Sequence, residues 1–371
     1  MTYDVIVVGG GIIGCSIAFK LSSQKLSVLL IERGTIGCEA SRAAAGMLSP
    51  QAEAPSAGPF FDLCLRSRNL YPGFASSVSE ASGLDVQYRD EGTLCVVIDD
   101  ADEHEQRDWA RWQFEAGLPI EAVEREALAG LEPALTRSAR SAVFIPEDHQ
   151  IENRLLMDGL SLAVKRSGVA TTEGVEVESL VCEKDRVTGV NAGGARYSAH
   201  TVVVAAGSWS SRLLEPNGVN VSVVPARGQM IALKPARALL AHVVYSRGCY
   251  LVPRRDNRIV IGSTVEYAGY EKATTAATLM SLLSAAIRVV PALSDSVVAE
   301  CWSGLRPDTS DHLPVLGSCS MENLILATGH FRSGILLAPV TAEMISDVIL
   351  TGETPAAIKP FAADRFKQGH S

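Results

Sequence analysis

The chain has 371 residues, 47% hydrophobic and 20% charged, which is enough apolar side chain for two domains and excludes a disordered polymer. A net charge of -9 without a Lys/Arg cluster argues against nucleic-acid binding, whose counterion-release term needs a basic face. Eight cysteines without CxxC spacing and seven histidines without ligand spacing predict neither a disulfide framework nor a metal site.

Val5 to Val8 is a short apolar run suited to a strand covered on both faces. The next residues place Gly9, Gly11 and Gly14 at GxGxxG spacing, which permits a tight turn, close approach of a pyrophosphate and close helix packing. Ile13, Ile17 and Leu21 continue as the apolar stripe of a helix whose N-terminus favours negative charge. Val28 to Ile31 predicts a second strand ending at Glu32. A carboxylate about twenty residues past the glycines can accept from both ribose hydroxyls of an adenosine. This unit predicts dinucleotide binding, and by itself it does not choose between FAD and NAD.

The N-terminal stretch lacks a basic segment and carries Asp4, so no targeting peptide is expected. Ala40 to Met47 is a run of small residues that either lies against a flat or charged group or begins an Ala-rich helix. Residues 60–82 predict a helix through Phe61, Leu65 and Leu70, ending near Pro72-Gly73. Gly92 to Ile98 predicts a strand. Asp102 to Gly117 predicts a charged helix with Trp109 and Trp112 on its buried side, outside the α/β rhythm and therefore in a second domain.

Ala142 to Ile145 predicts a strand, and Asn153 a cap for a helix burying Leu156, Leu160, Ala163 and Val164. Val175 and Val177 are expected in the next strand. Thr201 to Ala205 stops at Ala206-Gly207, a further strand end where glycine admits a ligand. Small residues at three strand ends suit a dinucleotide lying across one sheet edge. From Pro225 short alternating strands follow at Gln229–Leu233, Val243–Tyr245, Cys249–Val252 and Arg258–Gly262, with a hairpin turn at Asp256-Asn257. A helix through Leu279, Leu282, Leu283, Ala286 and Ile287 ends before Pro291. Val297 to Cys301 predicts a strand leading into Trp302 to Pro307, and Leu324 to Ala327 another. Thr328 to Gly334 is a glycine-bracketed turn into a helix reaching Leu350. Glu343 and Asp347 make that helix a core element rather than a membrane span. A cytoplasmic protein is expected.

Five segments resemble FAD-dependent amine oxidases of the D-amino acid oxidase superfamily, most closely the glycine oxidases that supply thiazole synthesis for thiamine. They are VVGGGIIG at Val7–Gly14, ASRAAAGML at Ala40–Leu48, VVVAAGSWS at Val202–Ser210, CYLVPRRD at Cys249–Asp256, and WSGLRPDTSDHLPVLG with ATGHFRSGILLAP from Trp302–Gly317 and Ala327–Pro339. The resemblance implies an α/β fold: a Rossmann-like FAD-binding domain of the GR2 flavoprotein type over 1–85, 142–222 and 302–371. A discontinuous antiparallel-sheet substrate domain would take 86–141 and 223–301.

It also implies roles for matching residues. Gly9, Gly11 and Gly14 would hold the pyrophosphate, with backbone contacts from Ile12 and Ile13, and Glu32 with Arg33 would meet the adenosine. Ala40, Ser41, Ala45, Gly46, Met47, Ala206 and Gly207 would line the cofactor, and Val175 would touch adenine through its backbone. His330, Phe331, Arg332, Ser333, Gly334, Ile335 and Leu336 would contact the flavin and ribityl chain. Arg306 would pair with the substrate carboxylate, Tyr250 would add a hydroxyl, and Arg332 would border the site. Ser333 stands where relatives often carry Asn, and 246–248 and 265–269 vary among glycine oxidases. No cysteine stands where a covalent flavin link would be assigned, so FAD is expected to be non-covalent.

The implied reaction is oxidation of glycine, sarcosine or a small D-amino acid by hydride transfer from Cα to flavin N5, with no general base. Oxygen would then yield hydrogen peroxide, and the imine would hydrolyse to an oxo acid or pass to a thiazole-forming enzyme. A homo-oligomer is compatible with this. The alternatives are a D-amino acid dehydrogenase feeding a quinone, and a non-catalytic flavin-binding partner.

Overall fold

A computed structural model describes residues 2–368. Thr2–Val8 lies at the centre of an eight-stranded sheet, parallel to Val28–Glu32 on one side and to Ala195–Val204 on the other. Ala170–Glu173 and Leu324–Thr328 extend the parallel set at either side. Val5 to Val8 is continuously apolar because both faces are covered. Val5 and Val7 pack under helices that include Ile12–Ser22, Asn153–Arg166 and Ala338–Thr351, whereas Ile6 and Val8 join a cluster with the antiparallel strands Val177–Glu183 and Arg186–Ala192.

The second sheet runs Val297–Asp308, Val224–Lys234, Ile259–Gly262, Cys249–Pro253, Val243–Ser246, Thr93–Val97, Ser141–Ile145, Glu121–Glu124. Alternation along its strands sends Ile231, Leu251, Ile259 and Ile261 toward the helix Ala276–Val289, and Met230, Tyr250, Val252 and Val260 to the opposite face beside Ala45. The Asp256-Asn257 hairpin is present, with Asn257 at φ 68°. A small sheet of Met47–Leu48, His149–Ile151 and Tyr88–Arg89 completes the set.

Ser141–Ile145 pairs with Thr93–Val97, and the segment Trp302 to Pro307 continues the strand Val297–Asp308 against Val224–Lys234, so 142–145 and 302–308 belong to the second sheet. The helix expected to stop near Pro72-Gly73 runs from Pro59 to Ser82. Pro72 removes one N–H from the ladder, but Cys64, Ser67, Tyr71, Ala75 and Val78 form an unbroken buried stripe, and the left-handed Gly83 at φ 71° ends the helix instead. Asn153 does not cap its helix; Glu152 holds the cap position. The Asn153 amide instead donates to the Ser41 and Arg42 carbonyls at 2.8 and 3.2 Å. Val175 lies between strands, because Gly174 at φ 74° turns the chain and the Val175 N–H returns to the Glu32 carbonyl at 3.1 Å.

The last helix is Ala338–Thr351, starting after a 3₁₀ turn at Phe331–Ser333, and Glu343 pairs with Arg66 at 2.8 Å. Among the described residues no helix is long and apolar enough to cross a membrane.

Gly14 lets the first helix start directly on the central strand, since a Cβ there would lie 1.9 Å from the Gly9 carbonyl oxygen. Gly14→Ala is expected to destabilise the protein by about 1–3 kcal/mol through overpacking. A lowered urea midpoint would register this, and an unchanged midpoint would mean that the helix start shifts freely.

Candidate active site

One elongated cavity runs from the carboxyl edge of the first sheet to the inner face of the second. At its first end Glu32, 8% exposed, accepts from the Gly10 N–H at 2.7 Å through Oε2 and from the Gly34 N–H at 2.8 Å through Oε1. These bonds fix the carboxylate in the wall and leave lone pairs for a sugar hydroxyl. Arg33 stacks over Trp209 at 3.5 Å and pairs with Glu39 at 2.7 Å, closing this end.

Gly9, Gly11, Ile12 and Ile13 line the neighbouring stretch. The Ile12 N–H donates to the Ser41 hydroxyl oxygen at 2.9 Å, so Ser41 can turn its own proton toward a ligand. Both readings of the Ala40 to Met47 run hold in part: Ala40–Ala43 is a short helix, and Ala40, Ser41, Ala45, Gly46 and Met47 all face the cavity. Gly46, at φ 69°, leaves no room for a Cβ, which would meet the Ile151 carbonyl at 2.0 Å. Buried Arg254 holds this wall by donating to the Ala45 carbonyl at 2.6 Å, and its charge is offset by Glu152 at 3.2 Å.

Ala206, Gly207, His330, Phe331, Arg332, Gly334 and Ile335 form the opposite wall. Phe331 sits at φ 45°, a region that side chains of its size rarely adopt. His330 contacts the Thr341 hydroxyl at 3.1 Å, and burial lowers its pKa to about 3, so it is neutral. Gly14, Val175, Ser333 and Leu336 are not among the lining residues.

At the second end, Arg306 donates to the Thr264 carbonyl at 2.9 Å and the Ser263 hydroxyl at 2.7 Å, beside the Tyr250 hydroxyl. Burial depresses its pKa below the ordinary guanidinium value, and the neighbouring Tyr250 opposes that shift. No carboxylate among the described residues pairs with it. The glycines of two strands clear its space: a Cβ on Gly228 would lie 2.3 Å from Arg306 Nη1, and one on Gly262 2.5 Å from the Tyr250 hydroxyl. Arg332 differs. Its Nη2 pairs with Glu53 at 2.7 Å, and Glu53 holds its pKa high.

Sequence reasoning passed over Glu53, Tyr245, Ser263, Gly228, Gly262 and Trp209. Glycines interrupting the Gln229 and Arg258 strand patterns were a usable signal for a close approach. Glu53 had no local signal, because its helix Pro50–Glu53 is held from afar. Asp148 accepts from the Gln51 and Ala52 N–H groups at 3.3 and 2.8 Å, and Arg68 bonds the Gln51 side chain at 2.7 Å.

The cavity suits a long, flat, anionic dinucleotide with a small anion beyond it. Its centre is walled by glycine and alanine, its first end offers an oriented carboxylate, and its second a partly buried cation. Known proteins agree. The model of the FAD dependent oxidoreductase family matches residues 4–348. A glycine oxidase from Geobacillus kaustophilus is 34% identical over 98% of this chain and 97% of its own. The bifunctional protein ThiO/ThiG of Trichormus variabilis is 35% identical over 99% of this chain, which spans 56% of that relative's length. Among solved structures, the Geobacillus kaustophilus glycine oxidase superposes with a TM-score of 0.94 at 32% identity, covering 98% of this chain and 99% of that one. Iminodiacetate oxidase from Chelativorans sp. BNC1 superposes with 0.88 at 25%, covering 96% and 98%.

The burial of neutral His330 has a pH consequence. Its pKa falls from 6.5 to about 3 on folding, so between those values the unfolded chain binds the extra proton. Its contribution is complete above the unfolded pKa and is lost as pH falls toward 3, by about 1.4 kcal/mol per pH unit. His330→Asn should flatten the acid limb of a stability-versus-pH curve by that slope. Equal slopes would mean that His330 is protonated in the fold.

Proposed function

The chain belongs to the FAD dependent oxidoreductase family, and we propose that it is a non-covalent FAD enzyme oxidising glycine and similarly small amino acids, serving a thiazole-forming step of thiamine synthesis. Arg306 carries this reading: a partly buried guanidinium with neutral partners and an open side toward the cavity is matched to one carboxylate. Tyr250, beside it, supplies a hydroxyl to the same group. Gly9, Gly11, Ile13 and Ser41 would hold the pyrophosphate, and Glu32 the adenosine ribose.

Bound FAD supplies the acceptor for the substrate's Cα hydride. The chain's own residues hold and orient the substrate. His330 is neutral and bonded to Thr341, and Glu53 is engaged by Arg332, so neither is placed to take a proton. The amine therefore enters neutral, and catalysis is mainly positioning. Oxygen as electron acceptor and release or hand-over of the imine complete the proposal; fused ThiO/ThiG relatives favour hand-over. Among the described residues no cysteine lines the cavity, which supports non-covalent attachment.

Arg306→Ala is expected to weaken glycine capture by about 2–5 kcal/mol while FAD stays bound. Anaerobic bleaching of the flavin against glycine concentration measures it, and wild-type capture by the variant would remove Arg306 from the site. Peroxide should form in proportion to glycine consumed. Dye reduction without peroxide would replace oxygen with another acceptor.

A further inference from the structure

Resting on that reading, we propose that Glu53 is a specificity determinant that restricts the site to amino acids carrying a single carboxylate. Two guanidinium groups border the substrate end, but they are not equivalent. Arg306 has neutral partners. Arg332 is one corner of a closed triangle: it donates to Glu53 Oε1 at 2.7 Å and to the Tyr245 hydroxyl at 3.0 Å, and Tyr245 donates to the same Glu53 oxygen at 3.0 Å.

Burial and the neighbouring carboxylate raise the Tyr245 phenol well above its ordinary pKa, so it keeps its proton and remains a donor. The triangle is thus one cation, one anion and one neutral hydroxyl. With its charge cancelled internally, Arg306 is the net positive charge at this end among the described residues. A substrate with a second carboxylate would meet a guanidinium already paired, next to an anion that repels it.

The Glu53 side chain is 24% exposed and that of Arg332 32%, and both residues line the cavity, so the triangle is open to a bound substrate. Glu53 is also held in place. It is the last residue of Pro50–Glu53, whose N–H groups are fixed by Asp148, while the Gln51 side chain bonds Gln113 at 3.1 Å. The carboxylate therefore stays beside Arg332.

The test compares kcat/KM for iminodiacetate, which carries two carboxylates, with that for glycine in the FAD-loaded enzyme. Glu53→Gln keeps an oxygen for Arg332 and Tyr245 but removes the charge, and should raise the iminodiacetate-to-glycine ratio at least tenfold. Glu53→Asp should keep the wild-type ratio, and adding Arg332→Gln to Glu53→Gln should abolish the gain. An unchanged ratio in Glu53→Gln, or an equal rise in Glu53→Asp, overturns the proposal. Should Glu53→Gln not retain FAD, Arg332→Gln alone tests the opposite charge: the bare Glu53 should lower the ratio, and no change overturns the proposal. Absence of glycine oxidation by the wild-type enzyme would instead overturn the functional reading beneath it.

Discussion

A partly buried guanidinium with no carboxylate partner among the described residues is the constraint on which the second sheet depends. Taking a charge out of water is costly unless hydrogen bonds or an opposite charge replace the lost solvation. Arg306 receives only neutral acceptors, the Thr264 carbonyl and the Ser263 hydroxyl, and its space exists because Gly228 has no side chain. The surrounding strands hold an arrangement that, on the proposed reading, an incoming anion would complete. Arg254, more deeply buried, shows the contrasting solution: with Glu152 beside it, it anchors the Ala45 carbonyl and asks nothing of a ligand.

The first sheet solves a different problem, the approach of backbone to a bulky anion. Gly9, at φ 106°, lies where a Cβ would meet the Ala205 carbonyl at 2.4 Å, so two parallel strand ends nearly touch under the cavity floor. Glu32 is oriented by two backbone N–H groups, which lowers the ordering cost of binding. The two sheets thus divide the labour. One edge presents backbone to the cofactor, and one face presents side chains to the substrate.

Much of this was legible in the sequence, and the pattern of success is physical. Elements governed by local rules emerged directly: the glycine turn after Val8, the Asp256-Asn257 hairpin, and the buried stripe Leu156, Leu160, Ala163 and Val164. Positions governed by distant partners did not. Pro72 suggested a helix end because its neighbours on the buried stripe were outvoted by a local signal, and Asn153 resembled a cap because its partners, the Ser41 and Arg42 carbonyls, are more than a hundred residues away. Arg306 and Tyr250 came from motif resemblance rather than from pattern. Glu53 was invisible to both, since its place beside Arg332 is set by a helix that Asp148 tethers from another part of the chain.

The strand Val297–Asp308 joins these halves more tightly than sheet pairing alone would suggest. Trp302 donates to the Ala43 carbonyl at 2.9 Å and Gly304 packs on Ala43, while two residues further Arg306 enters the substrate end. Four residues of extended chain, about 13 Å, therefore separate the wall beside Ala43 from Arg306, a ruler between cofactor and carboxylate on the proposed reading. A ruler of fixed length selects where the amine-bearing carbon falls. All α-amino acids place it one bond from the carboxylate, whereas a β-amino acid moves it outward by about 1.5 Å, the length of one backbone carbon–carbon bond. On the proposed reading the strand would gauge the position of the reacting carbon, leaving the choice of side chain to the walls around it.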